Sequence, residues 1–297
     1  MIDTLVFGGG GYKGLAYVGV LKALDQLGFL RNIRHLIGCS IGGVMMFLIA
    51  IGYTHQELED FVYHFDYRDV NDLSIMRVLI SYGVDTGDRI MKLLKIMMRR
   101  KLGVLDITFK ELRDRTGYDL CLNAVCLNTH QLIYHNADKN PDMSVLTAVR
   151  MTFSLPILFT PVEYMGHLYV DGGLLQNFPI SMGRPGHTIG VSFERDQPDH
   201  QINSIESYLM GLWTCVYRNA NRLEVPLGYQ AVLLHLDGLC TLAIGIDQET
   251  RHLVYQQGYQ QTLDGFSTHP EVIARFIINK IIDQMDQTDK DSPPPDP

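Results

Sequence analysis

Apolar residues along this chain fall into two patterns, short unbroken runs and stripes at helical spacing, and the two patterns alternate. Residues 4–7 form a brief run, Thr-Leu-Val-Phe, that stops at Gly8. A buried parallel strand ends at a loop in this way. Over 15–27 the apolar positions Leu15, Val18, Leu21, Leu24 and Leu27 recur at helical spacing, with Gly28 as the stop. A second short strand is expected at 33–37, where Arg34 and His35 interrupt the run. Residues 41–51 are apolar on nearly every face, so a helix there belongs inside the core.

The segment 54–118 reads as mostly helical, and Thr108-Phe-Lys-Glu111 carries the S/T-x-x-E capping-box pattern. Residues 120–127 and 131–135 predict a strand pair around Asn128-Thr-His130. A helix is expected at 143–151, core strands at 168–170 and 188–193, and helices at 203–223, 249–263 and 269–285. The acidic, proline-rich 291–297 is expected to be disordered. Strands alternating with helices predict an α/β fold in three layers, a mainly parallel central sheet with helices on both faces. No linker or internal repeat breaks the chain, so a single domain over 1–290 is expected.

Composition narrows the class. A chain of 297 residues, 46% hydrophobic and 20% charged, can bury one large core as a globular protein. A formal net charge of −8 disfavours nucleic acid as a partner, which needs a basic footprint. Cys39, Cys121, Cys126, Cys215 and Cys240 are odd in number and contain no CxxC pair. They suit a reducing compartment better than a disulfide framework or zinc ribbon. The N-terminus lacks a basic n-region and runs into a strand and a glycine loop, so no signal peptide and an intracellular location are expected. Residues 35–56 contain no Asp, Glu, Lys or Arg, yet Gly38, Gly42, Gly43 and Gly52 interrupt them. A buried strand-turn-helix fits better than a membrane span.

Three motifs carry candidate chemistry. Gly8-Gly-Gly-Gly-Tyr-Lys-Gly14 joins the first strand to the first helix. Its glycines let backbone N–H groups approach an anion, and the helix N-terminus adds positive potential. Alone it is ambiguous, because Gly9-x-Gly11-x-x-Gly14 also satisfies the dinucleotide fingerprint. Gly38-Cys39-Ser40-Ile41-Gly42 is a G-x-S-x-G pentapeptide between a short strand and an apolar helix, the context of a nucleophile elbow. Ser40 would stand at a helix N-terminus, where developing negative charge is favoured. A dinucleotide site would instead want an acidic residue at the end of this strand, and residues 33–38 offer none. Asp171-Gly-Gly173 follows Leu-Tyr-Val170, a carboxylate at a strand end where open α/β sheets build their sites. By itself Asp-Gly-Gly is more often a simple turn.

In order and spacing the three motifs resemble those of the patatin-like phospholipases. Gly9 to Gly14 is similar to that family's glycine-rich oxyanion loop ending G-x-R/K-G, Gly38 to Gly42 to its elbow, and Asp171-Gly172-Gly173 to its D-G-G/A. Val149-Arg-Met-Thr-Phe-Ser-Leu-Pro156 with Phe159-Thr-Pro161-Val162 resembles the stretch before the aspartate, with bulkier residues than usual. Asn177-Phe-Pro179 resembles the N-x-P after it. The resemblance covers about residues 1–192.

It implies a Ser40–Asp171 dyad, an oxyanion hole from the N–H groups of Gly9, Gly10 and Gly11, and no metal or organic cofactor. The substrate implied is a membrane phospholipid or another acyl-ester lipid. An aspartate near its usual value of about 3.9 is a poor base for a hydroxyl. Burial or exact positioning must therefore raise its effectiveness. Each oxyanion donor is worth roughly 3 kcal/mol of barrier.

Other residues offer alternative chemistry. Lys13 either meets a lipid phosphate or carboxylate, or is a solvated lysine opening a helix. His187, His200, His235, His252 and His269 follow Asp171, as an ordinary Ser-Asp-His triad would require. None has a recognisable catalytic context. No HExxH or clustered ligand set is present, so no metal is expected.

The segment 89–101 contains six basic residues and no acidic one, opposite a wide Ile/Leu/Met surface. It is either a peripheral membrane contact or an amphipathic helix packed on the core with a solvated basic face. Two rival functions remain at this level, a dinucleotide-binding protein and a catalytically inactive lipid-binding effector.

Overall fold

A computed structural model describes residues 2–64, 72–74, 76–194, 225–236 and 246–267, with the pairs 202–203, 207–208, 211–212 and 214–215. The expectations for 269–285 and 291–297, and most of that for 203–223, lie outside these residues.

The opening apolar run is β1 (Thr4–Phe7), buried at every position. A tight 3-10 turn, Gly11–Leu15, leads into α1 (Ala16–Gln26). Next come β2 (His35–Gly38) and α2 (Ile41–Ala50), whose all-apolar sequence is explained by burial of Met45, Met46, Phe47 and Leu48 in the core. The largely helical stretch is α3 (His55–His64), α4 (Met76–Ser81), α5 (Asp88–Leu102) and α6 (Phe109–Thr116). At the start of α6, Thr108 and Glu111 form the reciprocal capping box, Oγ1 accepting at 3.2 Å and Oε2 at 3.0 Å from the opposite backbone N–H groups. Between α4 and α5 lies β3 (Gly83–Asp85), a strand too short to leave an alternating pattern.

The hairpin is β4 (Asp119–Cys126) and β5 (Gln131–His135), followed by α7 (Val145–Thr152). After it come β6 (Ile157–Phe159), β7 (Val162–Tyr164), β8 (His167–Asp171), β9 (Thr188–Phe193), β10 (Gln230–Leu234) and α8 (Gln248–Ser267). The strands β6, β7 and β10 were not anticipated from the sequence.

The main sheet has the order β10-β9-β1-β2-β4-β8-β7, with β5 also paired to β4. Strands β10, β9, β1, β2 and β4 are parallel neighbours, while β5 and β8 run antiparallel to β4. A separate small sheet pairs β3 with β6. The fold is therefore mixed α/β with a mainly parallel centre.

The register of β4 has a consequence for the site. Leu122 pairs with both Gly38 of β2 and His135 of β5, and Ala124 pairs with both Asp171 of β8 and Ile133 of β5. A strand has two hydrogen-bonding edges, so β5 takes one and β2 and β8 share the other. Since β2 is parallel and β8 antiparallel to β4, their C-terminal ends meet head to head. Gly38 and Asp171 thus stop opposite residues two positions apart on β4, a separation of about 7 Å.

On one sheet face Leu5, Phe7, Leu36, Leu122 and Val191 join Tyr17, Met46, Phe47, Val149 and Tyr255 in the principal core. The opposite face carries a smaller cluster of Val6, Ile37, Cys121 and Ile180, with Phe178, Tyr134 and Tyr229 against it.

Candidate active site

The turn from β2 into α2 sets Ser40 at φ 54° and ψ −128°, a strained conformation for a residue with a side chain. Its hydroxyl makes no capping bond to α2, although the residue occupies the cap position. The backbone N–H of Ser40 donates to Thr152 Oγ1 at 3.0 Å, which ties the elbow to the last residue of α7. Gly42 is required because a Cβ there would lie 2.4 Å from the carbonyl oxygens of both Phe7 and Gly8. A Cβ on Gly38 would likewise strike the Gly43 backbone, at 2.5 Å.

Asp171 ends β8 and is 1% exposed. Its own N–H donates to the Ser154 carbonyl at 2.9 Å. Oδ1 accepts from the Gly173 N–H at 2.7 Å and lies 3.7 Å from Cys39 Sγ. Oδ2 is buried with no bonded partner. Burial pushes the carboxyl up to about 6, opposed by the Ser40 hydroxyl, the Gly173 N–H and the Cys39 thiol in that order. Ser40 is therefore near enough to act on the carboxyl, without a formed hydrogen bond between them. Such contacts are commonly long before substrate binds.

The glycine loop lies against Ser40. A Cβ on Gly9 would come within 2.9 Å of Ser40 Cβ and 2.2 Å of Asn177 Oδ1. Asn177 clamps this loop in both directions: its carbonyl accepts from the Gly9 N–H at 3.0 Å and its Nδ2 donates to the Gly9 carbonyl at 2.9 Å. This corrects one expectation. The Gly9 N–H is already committed to the Asn177 carbonyl, so Gly9 shapes the loop. Gly14 packs its α-carbon against Ile41, and Gly172 packs against Asn123, where a Cβ would meet Oδ1 at 2.3 Å.

Lys13 is 3% exposed, which excludes the solvated lysine weighed for it. Among the histidines after Asp171, His187 Nδ1 lies 3.8 Å from Asp3, His235 bonds Glu194 at 2.9 Å and His252 meets the Tyr63 hydroxyl at 2.7 Å. None of these acts on Asp171. His200 and His269 lie outside the described residues. No cluster of metal-ligating side chains occurs among the described residues.

Two positioning residues were not singled out from the sequence. Besides Thr152 there is Arg150, nearly buried, whose guanidinium donates to the Thr86 and Thr160 carbonyls and to Ser154 Oγ. It braces the turn that supplies the carbonyl for Asp171. Both Arg150 and Thr152 stand in the 149–156 stretch quoted above, but nothing local distinguishes them there.

In the 89–101 helix, Leu94, Met97 and Met98 are buried in the core, while Arg89, Lys92, Lys95, Arg99 and Arg100 are exposed. Of the two alternatives, packing thus takes most of the apolar side of this helix, and a basic stripe remains. Among the described residues no helix is long and apolar enough to cross a membrane.

The model of the family described as patatin-like phospholipase matches residues 5–183. A probable lipid hydrolase of Invertebrate iridescent virus 6 is 30% identical over 189 residues, 62% of this chain and 64% of the viral protein. A lysophospholipase of Emericella nidulans is 27% identical over 72% of this chain, which spans 13% of that longer protein. Among solved structures, VipD from Legionella pneumophila aligns with TM-score 0.63 and 17% identity, over 90% of this chain and 67% of VipD. The type III effector protein ExoU aligns with TM-score 0.55 and 15% identity, over 93% of this chain and 53% of ExoU. At these identities the two structures speak for the fold.

Proposed function

The chain belongs to the patatin-like phospholipase family, and on that premise we propose that it is a serine acyl-hydrolase acting on acyl ester bonds of lipids, phospholipids first. Ser40 Oγ attacks the ester carbonyl carbon while Asp171 takes its proton. The oxyanion that forms is held by the N–H groups of Gly10 and Gly11, with the N-terminus of α2 adding positive potential. Collapse expels the alcohol, which recovers the proton from Asp171 and leaves an acyl-Ser40 ester. Water then attacks that ester with Asp171 again as base, Asp171 returns the proton to Ser40 Oγ as the acyl–oxygen bond breaks, and the fatty acid departs.

One observation carries this reading: a fully buried carboxylate, raised to about 6, beside a strained and uncapped serine. A base with that value is mostly ionised at neutral pH yet far more proton-hungry than an exposed aspartate. The family's lipid hydrolases and the name of the viral relative support the substrate class. The exposed basic stripe of α5 supports contact with anionic membrane surfaces through charge. An intracellular site of action is supported by Cys39, Cys121, Cys126 and Cys215, which are unpaired.

The test is product analysis on mixed phospholipid vesicles with wild type and Ser40→Ala. Fatty acid release by the wild type alone supports the reading. Release by both places the chemistry elsewhere, and release by neither favours a lipid-binding protein without turnover.

A further inference from the structure

The residue between Gly38 and Ser40 has a side chain that the reaction above does not use. Cys39 is 0% exposed, and its backbone is held by a bond from its N–H to the Phe7 carbonyl at 3.2 Å. Its Sγ points at Asp171 Oδ1, 3.7 Å away, the oxygen that already accepts from Gly173. Asn123, buried on β4, bonds the Gln176 carbonyl at 2.8 Å and acts on the thiol only by slightly opposing the rise in its pKa. The hydrogen-bond partner of the thiol is thus the carboxylate, with its S–H directed to Oδ1.

We propose that Cys39 is a positioning residue for the Asp171 base, supporting the buried carboxylate with a donor too weak to quench its basicity. The inference rests on the Ser40–Asp171 reading and goes beyond it by naming what holds the base poised. Burial and the Asp171 charge push the thiol well above its ordinary value, so it stays S–H across the working range. An S–H is a weaker donor than a hydroxyl, whereas O–H to carboxylate bonds are short and strong. Serine at this position would satisfy the carboxylate better and make it a poorer base. Alanine would remove the donor.

The other titratable groups nearby do not compete. On the neighbouring strands, burial raises Cys121 to about 12, pushes Tyr134 above its usual range and lowers His135, in each case favouring the neutral form. Arg150 of α7 directs its guanidinium to Thr86, Thr160 and Ser154.

The experiment is the pH profile of kcat/KM on a short-chain soluble ester for wild type, Cys39→Ser, Cys39→Ala and Asp171→Asn. Fluorophosphonate labelling rates across the same pH range give a second readout. Activity needs ionised Asp171, so each profile rises through the carboxyl's own value, near 6 in the wild type. The acid limb should move down in Cys39→Ser and up in Cys39→Ala, each by at least about half a pH unit. A purely structural cysteine would lower the plateau in both variants and leave the limb where it was, which overturns the proposal. Limbs that move in the same direction also overturn it. If Asp171→Asn keeps the wild-type profile, the dyad fails first and the role of Cys39 falls with it. A limb that depends on Asp171 but ignores Cys39 defeats only this inference.

Discussion

Ser40 and Thr152 are joined by a single hydrogen bond, backbone N–H to Oγ1 at 3.0 Å, across the gap between the elbow and α7. Thr152 is 0% exposed, and its hydroxyl is the partner that this N–H has in the fold. Thr152→Val keeps the shape and orphans the donor. It should cost about 1–3 kcal/mol of stability, measured by denaturant melts, and lower kcat more than it changes KM. Stability and kinetics equal to wild type would show that the elbow holds itself.

The glycines of the two loops should differ in tolerance. Gly42→Ala drives a Cβ into two backbone carbonyls at 2.4 Å, which cannot yield without moving β1. Gly14→Ala meets Ile41 Cγ1 at 2.2 Å, a side chain that can turn. Gly42→Ala should therefore abolish activity and lower the melting midpoint sharply, while Gly14→Ala keeps a folded protein with reduced turnover. Equal tolerance at both positions would mean that β1 and α2 are not packed as closely as described.

Much of this site was legible in the sequence because it is local. Glycines that permit close approach, a serine between them and a carboxylate at a strand end leave their spacing in the chain. What was hidden depends on partners far away in sequence. Arg34 and His35 did not prevent a strand, because β2 lies between β1 and β4 and its polar end is at the sheet margin. The head-to-head meeting of β2 and β8 is a property of β4, whose sequence says nothing of which strands share its edge. The commitment of the Gly9 N–H follows from Asn177, and the burial of Lys13 follows from packing. The three-residue strands β3, β6 and β7 are shorter than any period can reveal.

Asp171→Asn should trade activity for stability. The carboxyl is raised from 3.8 to about 6, so ionising it in the folded protein opposes folding by roughly 3 kcal/mol. That cost is absent below the unfolded value near 3.8, grows as pH rises, and is complete above about 6. The amide variant should melt higher than wild type at pH 8, melt alike at pH 3.5, and have almost no esterase activity. A variant less stable at pH 8 would mean that the carboxylate is paired rather than merely buried.

If the basic face of α5 meets membranes, changing Lys92, Lys95 and Arg99 together to Glu should weaken co-sedimentation with anionic vesicles. Each exposed base near such a surface contributes about 1 kcal/mol, and the difference should shrink as salt is raised. Hydrolysis of a soluble ester should hardly change, since α5 is held by Leu94, Met97 and Met98 on its buried side. Vesicle binding that ignores the charge reversal would remove α5 from the membrane contact.

The central claim is that Ser40 is a nucleophile made competent by Asp171. Fluorophosphonate labelling located by mass spectrometry tests it most directly, because the probe records the attacking atom without any choice of lipid. The wild type should carry the label on Ser40, Ser40→Ala should carry none, and Asp171→Asn should label at least about a hundredfold more slowly, as loss of a general base requires. Label on another residue, or an undiminished rate in Asp171→Asn, would contradict it.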